Sequence, residues 1–235
     1  MCGRFSLVSN AEVLARFFAV GRIPDGFIAR YNIAPTQRSV VVYEDAGRGR
    51  QAALWRWGLI PRWAKDISVG QRMINARSET LDQRPAFRQA YQYRRCVIPA
   101  SGFFEWHGPK GKKTPFYFRL DTDQLFGLAG LWEEWLSPEG DLRSFTIITT
   151  EANAVVRAIH HRMPVIFRTP DEIDQWLDHS RFDAIALQRL LAPRPIPGLK
   201  GYEVSRRVNS AVNDDPQCIE PVEDGRRITN PAPPR

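Results

Sequence analysis

Cysteine is scarce in this chain: three among 235 residues, at Cys2, Cys96 and Cys218. An odd, widely spaced set speaks against a disulfide framework and fits reduced thiols in a cytosol-like compartment. No Cys-x-x-Cys pair or matched Cys/His spacing occurs, so a zinc site is not expected, and nothing calls for another metal or a cofactor. Long apolar runs are missing as well. No stretch approaches the roughly 18 consecutive apolar residues of a membrane span. The opening MCGRFSLVSN has neither the basic start nor the apolar core of a secretory signal. No internal repeat is visible, and the βαβ alternation that a parallel sheet needs is absent. These gaps leave a cytoplasmic protein with one large core, and nothing demands more than a monomer.

What is present is positive charge. The net charge is +7, from 33 basic and 26 acidic residues, and the basic ones are nearly all arginine. The arginine fork donates two parallel hydrogen bonds to a phosphate, which a lysine cannot do. Polyanions are therefore one reading of the charge, and an arginine-rich genome is the other.

Strand patterns crowd the centre: SVVVYED and AALWRWGLI around a hairpin-like AGRGR, then RRCVIPA, GFFEWH, TPFYFRL, LFGLAGLWEEW and SFTIITT. HGPKGKKTP reads as a long basic hairpin loop. Helical spacing appears in NAEVLARFFAV, capped by Ser9 or Asn10, and in EANAVVRAIH, DEIDQWL and DAIALQRLL. SETLDQRPAF reads as a short helix interrupted at Pro85, and the chain from Pro216 onward as a fraying tail. The expectation is one α+β domain, a mainly antiparallel, barrel-like sheet flanked by helices, over residues 2–222. A Pro- and charge-rich flexible tail follows at 223–235.

Four polar stretches could carry chemistry. MCGRF places Cys2 where loss of Met1 would put an α-amine and a thiol on one residue. MINARSET sets Asn75 and Arg77 two apart, on one side if the segment is extended. PASGFFEWHG holds Glu105 between Phe104 and Trp106, as either a solvated surface residue or a buried acid of raised pKa. AIHHRMPVIF ends a helix in His160, His161 and Arg162, where a histidine could also serve only the helix dipole. Trp55 and Trp57 read as core; Trp63, in WGLIPRWAKD, is either core or an exposed stacking residue.

Taken in order, MCGRF, YNIAPTQ, WGLIPRWAKD, NARSET, CVIPASGFFEW and HHRMPVI resemble the SRAP family, abasic-site processing proteins once described as SOS-response-associated peptidases. The resemblance runs from Cys2 to about Val165, more weakly to Val222. It implies loss of Met1 and capture, by the terminal Cys2, of the ring-opened aldehyde of an abasic site in single-stranded DNA. It further implies that Asn75 lines the site and that Glu105 and His160 move protons. By the same match Arg77 and Arg162 hold DNA phosphates, joined by Arg4 and Thr149; Trp63 is a DNA-binding candidate on its own position, as an aromatic beside Arg62 that could stack on a base. His161 stands where many relatives carry an acidic residue. Two other readings remain: an N-terminal-nucleophile hydrolase or peptidase, and a non-catalytic nucleic-acid-binding module.

Overall fold

Five strands of alternating side chains close on themselves at the centre of the computed structural model, which describes residues 2–137, 140–180 and 182–229. They are β3 (Arg38–Asp45), β4 (Gly49–Trp57), β6 (Arg95–Ala100), β9 (Phe126–Trp135) and β10 (Leu142–Glu151). The pairs β3–β4, β3–β6, β6–β9 and β9–β10 are antiparallel, and a parallel β4–β10 contact completes the ring. Closure leaves these strands no bare edge over the paired stretch. Trp57, wholly buried, stacks on Phe145 with ring centres 6.4 Å apart. Three short strands extend the ring: β5 (Asn75–Arg77) and β11 (Arg162–Pro164) on β10, and β12 (Ile166–Phe167) on β9.

A second sheet lies beside it in the order β14–β13–β8–β7–β1–β2, built from β1 (Arg4–Leu7), β2 (Arg30–Ile33), β7 (Gly102–His107), β8 (Thr114–Leu120), β13 (Leu199–Glu203) and β14 (Arg227–Ile228). Phe5, Phe103 and Phe118 are buried on this sheet, with Phe103 stacked on Phe118 at 5.2 Å. Gly102 makes the packing possible: a Cβ there would stand 2.2 Å from the Tyr117 ring. The α+β, mainly antiparallel, barrel-like class expected from the strand patterns is what the chain adopts.

The helices are α1 (Ala11–Phe17), α2 (Pro85–Tyr93), α3 (Ala154–Arg157), α4 (Pro170–Leu177) and α5 (Ala184–Leu191). Asn10 caps α1 through its side chain, and Thr169 with Glu172 forms a capping box on α4. Arg95, wholly buried, donates to the carbonyls of Tyr91 and Gln92 and to those of Trp176 and Asp178, so one guanidinium closes the ends of α2 and α4.

Three local expectations need correction. Pro85 opens α2 at its first turn, where its missing N–H costs nothing, and does not interrupt a helix begun at Ser78; only a 3₁₀ turn spans Ser78–Thr80. EANAVVRAIH yields one helical turn, because the chain must turn back into β11. The stretch from Pro216 to Ile228 is folded rather than frayed. Val204 bridges to Pro221, and β14 adds an edge to β13. Residues 230–235, the end of the expected tail, lie outside the described residues.

Candidate active site

Where the two sheets meet, four residues expected to act together converge. Cys2, just ahead of β1, is fully buried, and its Sγ lies 3.8 Å from the Arg4 carbonyl. Asn75 on β5 donates from Nδ2 to the Cys2 carbonyl at 2.8 Å. Glu105 lies on β7, which pairs with β1 in the register Arg4↔Phe104. Continued by two residues, that register brings Cys2 opposite Trp106 and next to Glu105. His160 follows α3, whose single turn is capped by Asn153, and its Nδ1 comes 3.9 Å from Glu105 Oε1.

Burial sets the protonation of this group. Glu105 is 2% exposed, and desolvation pushes its carboxyl up to about 7. Desolvation also pulls His160 down to about 4, leaving a neutral imidazole at pH 7. His160 Nδ1 faces the Arg162 backbone, 3.0 Å from its N–H and 3.1 Å from its carbonyl, so the ring is held by that backbone in either tautomer. The Cys2 thiol is driven well above its usual range, by burial first and by the Glu105 carboxylate second. The site therefore holds a protonated thiol, a neutral base and an acid poised near neutrality. A carboxyl with that pKa can both give and take a proton at pH 7. Among the described residues no cluster of three His, Cys, Asp or Glu side chains is arranged to hold a metal ion.

The residues assigned to DNA divide into four situations. Arg77 is exposed and shares a groove of about 380 Å³ with Glu151, Arg157, His161 and Arg162. Arg162 is 7% exposed, its guanidinium paired with both Glu79 oxygens (2.7 and 3.0 Å) and donating to the Thr149 carbonyl at 2.6 Å and hydroxyl at 3.3 Å. Thr149 is itself buried. Arg4 is half-buried and tied to Asn32 Oδ1 (2.8 Å) and to the carbonyls of Val208 (2.6 Å) and Asn209 (3.1 Å). Trp63 is 63% exposed, so the core reading does not hold for it. It is not part of this cluster. The adjacent Ala64 carbonyl accepts from Trp135 Nε1, at the Leu142 end of β10, about 20 Å along that strand from Thr149.

Residues 1–211 match the model of the family described as SOS response associated peptidase (SRAP). The chain belongs to the SRAP family. Among its relatives, Abasic site processing protein YoqW of Bacillus subtilis (strain 168) is 42% identical over 224 residues, covering 94% of this chain and 99% of that protein. Abasic site processing protein HMCES of Gallus gallus is 32% identical over 267 residues, covering 96% of this chain and 79% of that one. A crystal structure of a protein from Bacteroides thetaiotaomicron superposes with a TM-score of 0.81 at 26% identity, covering 94% of this chain and 100% of the other.

The structure also brings to this region residues that the motifs do not single out. Glu79 lies within NARSET, but nothing local says that it meets Arg162, 83 residues away. Asn32, within YNIAPTQ and wholly buried, spends every polar atom. Its Oδ1 accepts from Arg4, and its Nδ2 faces the carbonyls of Val208, Ser210 and Asn213 at 3.1, 3.0 and 2.7 Å. Asp214 accepts from the backbone of Tyr31 and Asn32 and pairs with Arg30. Residues 206–215 thus form a strap across β2 that fixes Arg4 beside the Cys2 pocket.

Proposed function

We propose that this chain processes abasic sites in single-stranded DNA by covalent capture, with Cys2 as the terminal residue once Met1 is gone. The observation that carries the reading is the convergence of Cys2, Asn75, Glu105 and His160 in one buried pocket beside an arginine-lined groove. The names of YoqW and HMCES point the same way.

The chemistry follows from the protonation states. An α-amine, with an ordinary pKa near 8, is partly neutral at pH 7 and adds to the lesion's aldehyde. Glu105, in its acid form, protonates the departing hydroxyl, so that water leaves and an imine remains. The thiol, held protonated by burial, then adds to the imine carbon. Its proton passes to the Glu105 carboxylate, which returns it to the nitrogen. Closure is intramolecular and gives a five-membered thiazolidine, with one water lost in all. Asn75 holds the Cys2 carbonyl still, and His160 relays protons during opening of the sugar ring. Arg77, Arg162, Arg4 and Thr149 supply phosphate contacts, which position a strand without reading its sequence. For Arg162 a phosphate must share or replace Glu79.

The test is a denaturing gel with intact mass on protein lacking Met1, mixed with an oligonucleotide bearing one abasic site. Wild type is expected to give an adduct of protein plus DNA less one water, and Cys2→Ala none. No adduct from wild type overturns the proposal. Peptide-bond cleavage in its place would favour the hydrolase reading, and binding lost on denaturation would favour a non-catalytic module.

A further inference from the structure

The Cys2 pocket has two basic sides. The first is the arginine groove around Arg77, carried by β5 and β11 on the ring sheet. The second belongs to the other sheet. It is the loop joining β7 to β8, with sequence GPKGKK, and it holds three of the chain's five lysines: Lys110, Lys112 and Lys113. All three are exposed, and no carboxylate of the described residues forms an ion pair with them. That is unusual in a chain whose arginines are so often paired, as Arg30, Arg50, Arg94 and Arg162 are.

Register locates the loop. β7 pairs with β8 as Glu105↔Phe116, Trp106↔Pro115 and His107↔Thr114. Cys2 continues β1 opposite Trp106 on the other side of β7. Two strand spacings, about 10 Å, therefore separate Cys2 from Pro115, and Lys113 stands two residues beyond Pro115 at the pocket's rim. Burial governs the protonation of Glu105 and His160, yet the Lys113 ammonium is close enough to lower both. Its charge, though exposed, therefore lies within electrostatic reach of both groups.

We infer that the β7–β8 loop is a second phosphate-binding wall: Lys113, with Lys110 and Lys112, holds the DNA strand on the opposite side of the reacting sugar from Arg77. A flexible strand presents one sugar to a buried thiol only if the backbone is held on both flanks, and one wall alone would leave the other flank to swing. Lysines suit the task, since an ammonium on a long stem follows a mobile phosphate as a point charge. The inference rests on the proposed single-stranded DNA substrate.

The experiment measures equilibrium binding of an intact oligo-dT, without a lesion, across a salt series. Replacing all three lysines with alanine is expected to reduce the slope of log affinity against log salt by about 2, since each phosphate left unneutralised on a single strand removes about 0.7. Lys113→Arg alone is expected to keep the wild-type slope, as is Lys200→Ala on β13. Oligonucleotides extending to only one side of an abasic site then assign the flank. The triple variant and Arg77→Ala should lose affinity for opposite members of the pair. An unchanged slope in the triple variant, or weakening on the same flank for both, overturns the second wall while leaving the substrate reading intact. If wild type fails to bind oligo-dT at all, the substrate reading falls with it.

Discussion

Glu105 shows how a single side chain takes its role from what covers it. The alternation of GFFEWH states only that Phe103 and Glu105 share a side. Whether that side faces water is decided by His160 and its turn, contributed more than 50 residues later. With the carboxyl at about 7, the acid form fades as pH rises through 7 while the neutral amine grows towards pH 8. Crosslinking by wild type should therefore peak between about pH 7 and 8. Glu105→Gln is expected to be slower by 10²- to 10⁴-fold and to lose the falling limb, which a pH–rate profile would show. Stability follows the same titration. An unfolded carboxyl loses its proton near 4.5, whereas this one keeps it to about 7, so stability present below pH 4.5 is lost as pH rises to 7. The loss is about 3 kcal/mol. Thermal melts of wild type and Glu105→Gln at pH 5 and pH 8 should reveal it as a relative gain for the variant at the higher pH. His160 has the opposite sign, costing stability as pH falls from 6.5 towards 4.

At the level of elements, apolar runs locate β3, β9 and β10, which bury half or more of their residues, while β4 is legible from the alternation that buries Trp55 and Trp57. Short pieces are harder to read. β11 and β12 have three and two residues, too few for a period, and exist because β10 and β9 offer them partners. Pro85 is ambiguous for another reason: proline both ends helices and begins them, and only the following Ala86–Tyr93 pattern distinguishes the two. Close packing between β7 and β8 gives a sharp expectation. Gly102→Ala forces a methyl to within 2.2 Å of the Tyr117 ring, deep in the sheet that carries Glu105. A cost of about 3 kcal/mol is expected, lowering Tm by roughly 6–12 °C for a chain of this size, as calorimetry would record.

For the whole molecule, the net charge of +7 points to a polyanion, but the chain's arginines are not one reservoir. Arg95 is structural, Arg4 and Arg162 are tied down, and Arg77 and the loop lysines are exposed. Binding to unmodified single strands should fall steeply with added salt and differ little between scrambled sequences, which anisotropy titrations would check; a flat response to salt would sink that expectation. The proposed catalytic set is legible in sequence because Cys2, Asn75, Glu105 and His160 all lie inside the motifs. The strap is invisible in sequence, since Asn32 and Val208 are 176 residues apart and nothing local announces their meeting.

That separation in sequence is also a separation in time. Arg4 meets Val208 across 204 residues, so at roughly 5–20 residues per second a ribosome delivers the strap some 10–40 s after the first residues have emerged. During that interval the leading residues are a loose peptide that an aminopeptidase can grip; afterwards Cys2 is at 0% exposure. A chain folded with Met1 attached should therefore resist trimming by methionine aminopeptidase that the same chain accepts when denatured, as mass spectrometry would show. On the proposed chemistry the fold sets a deadline for maturation, and a molecule that misses it would carry no reactive terminus.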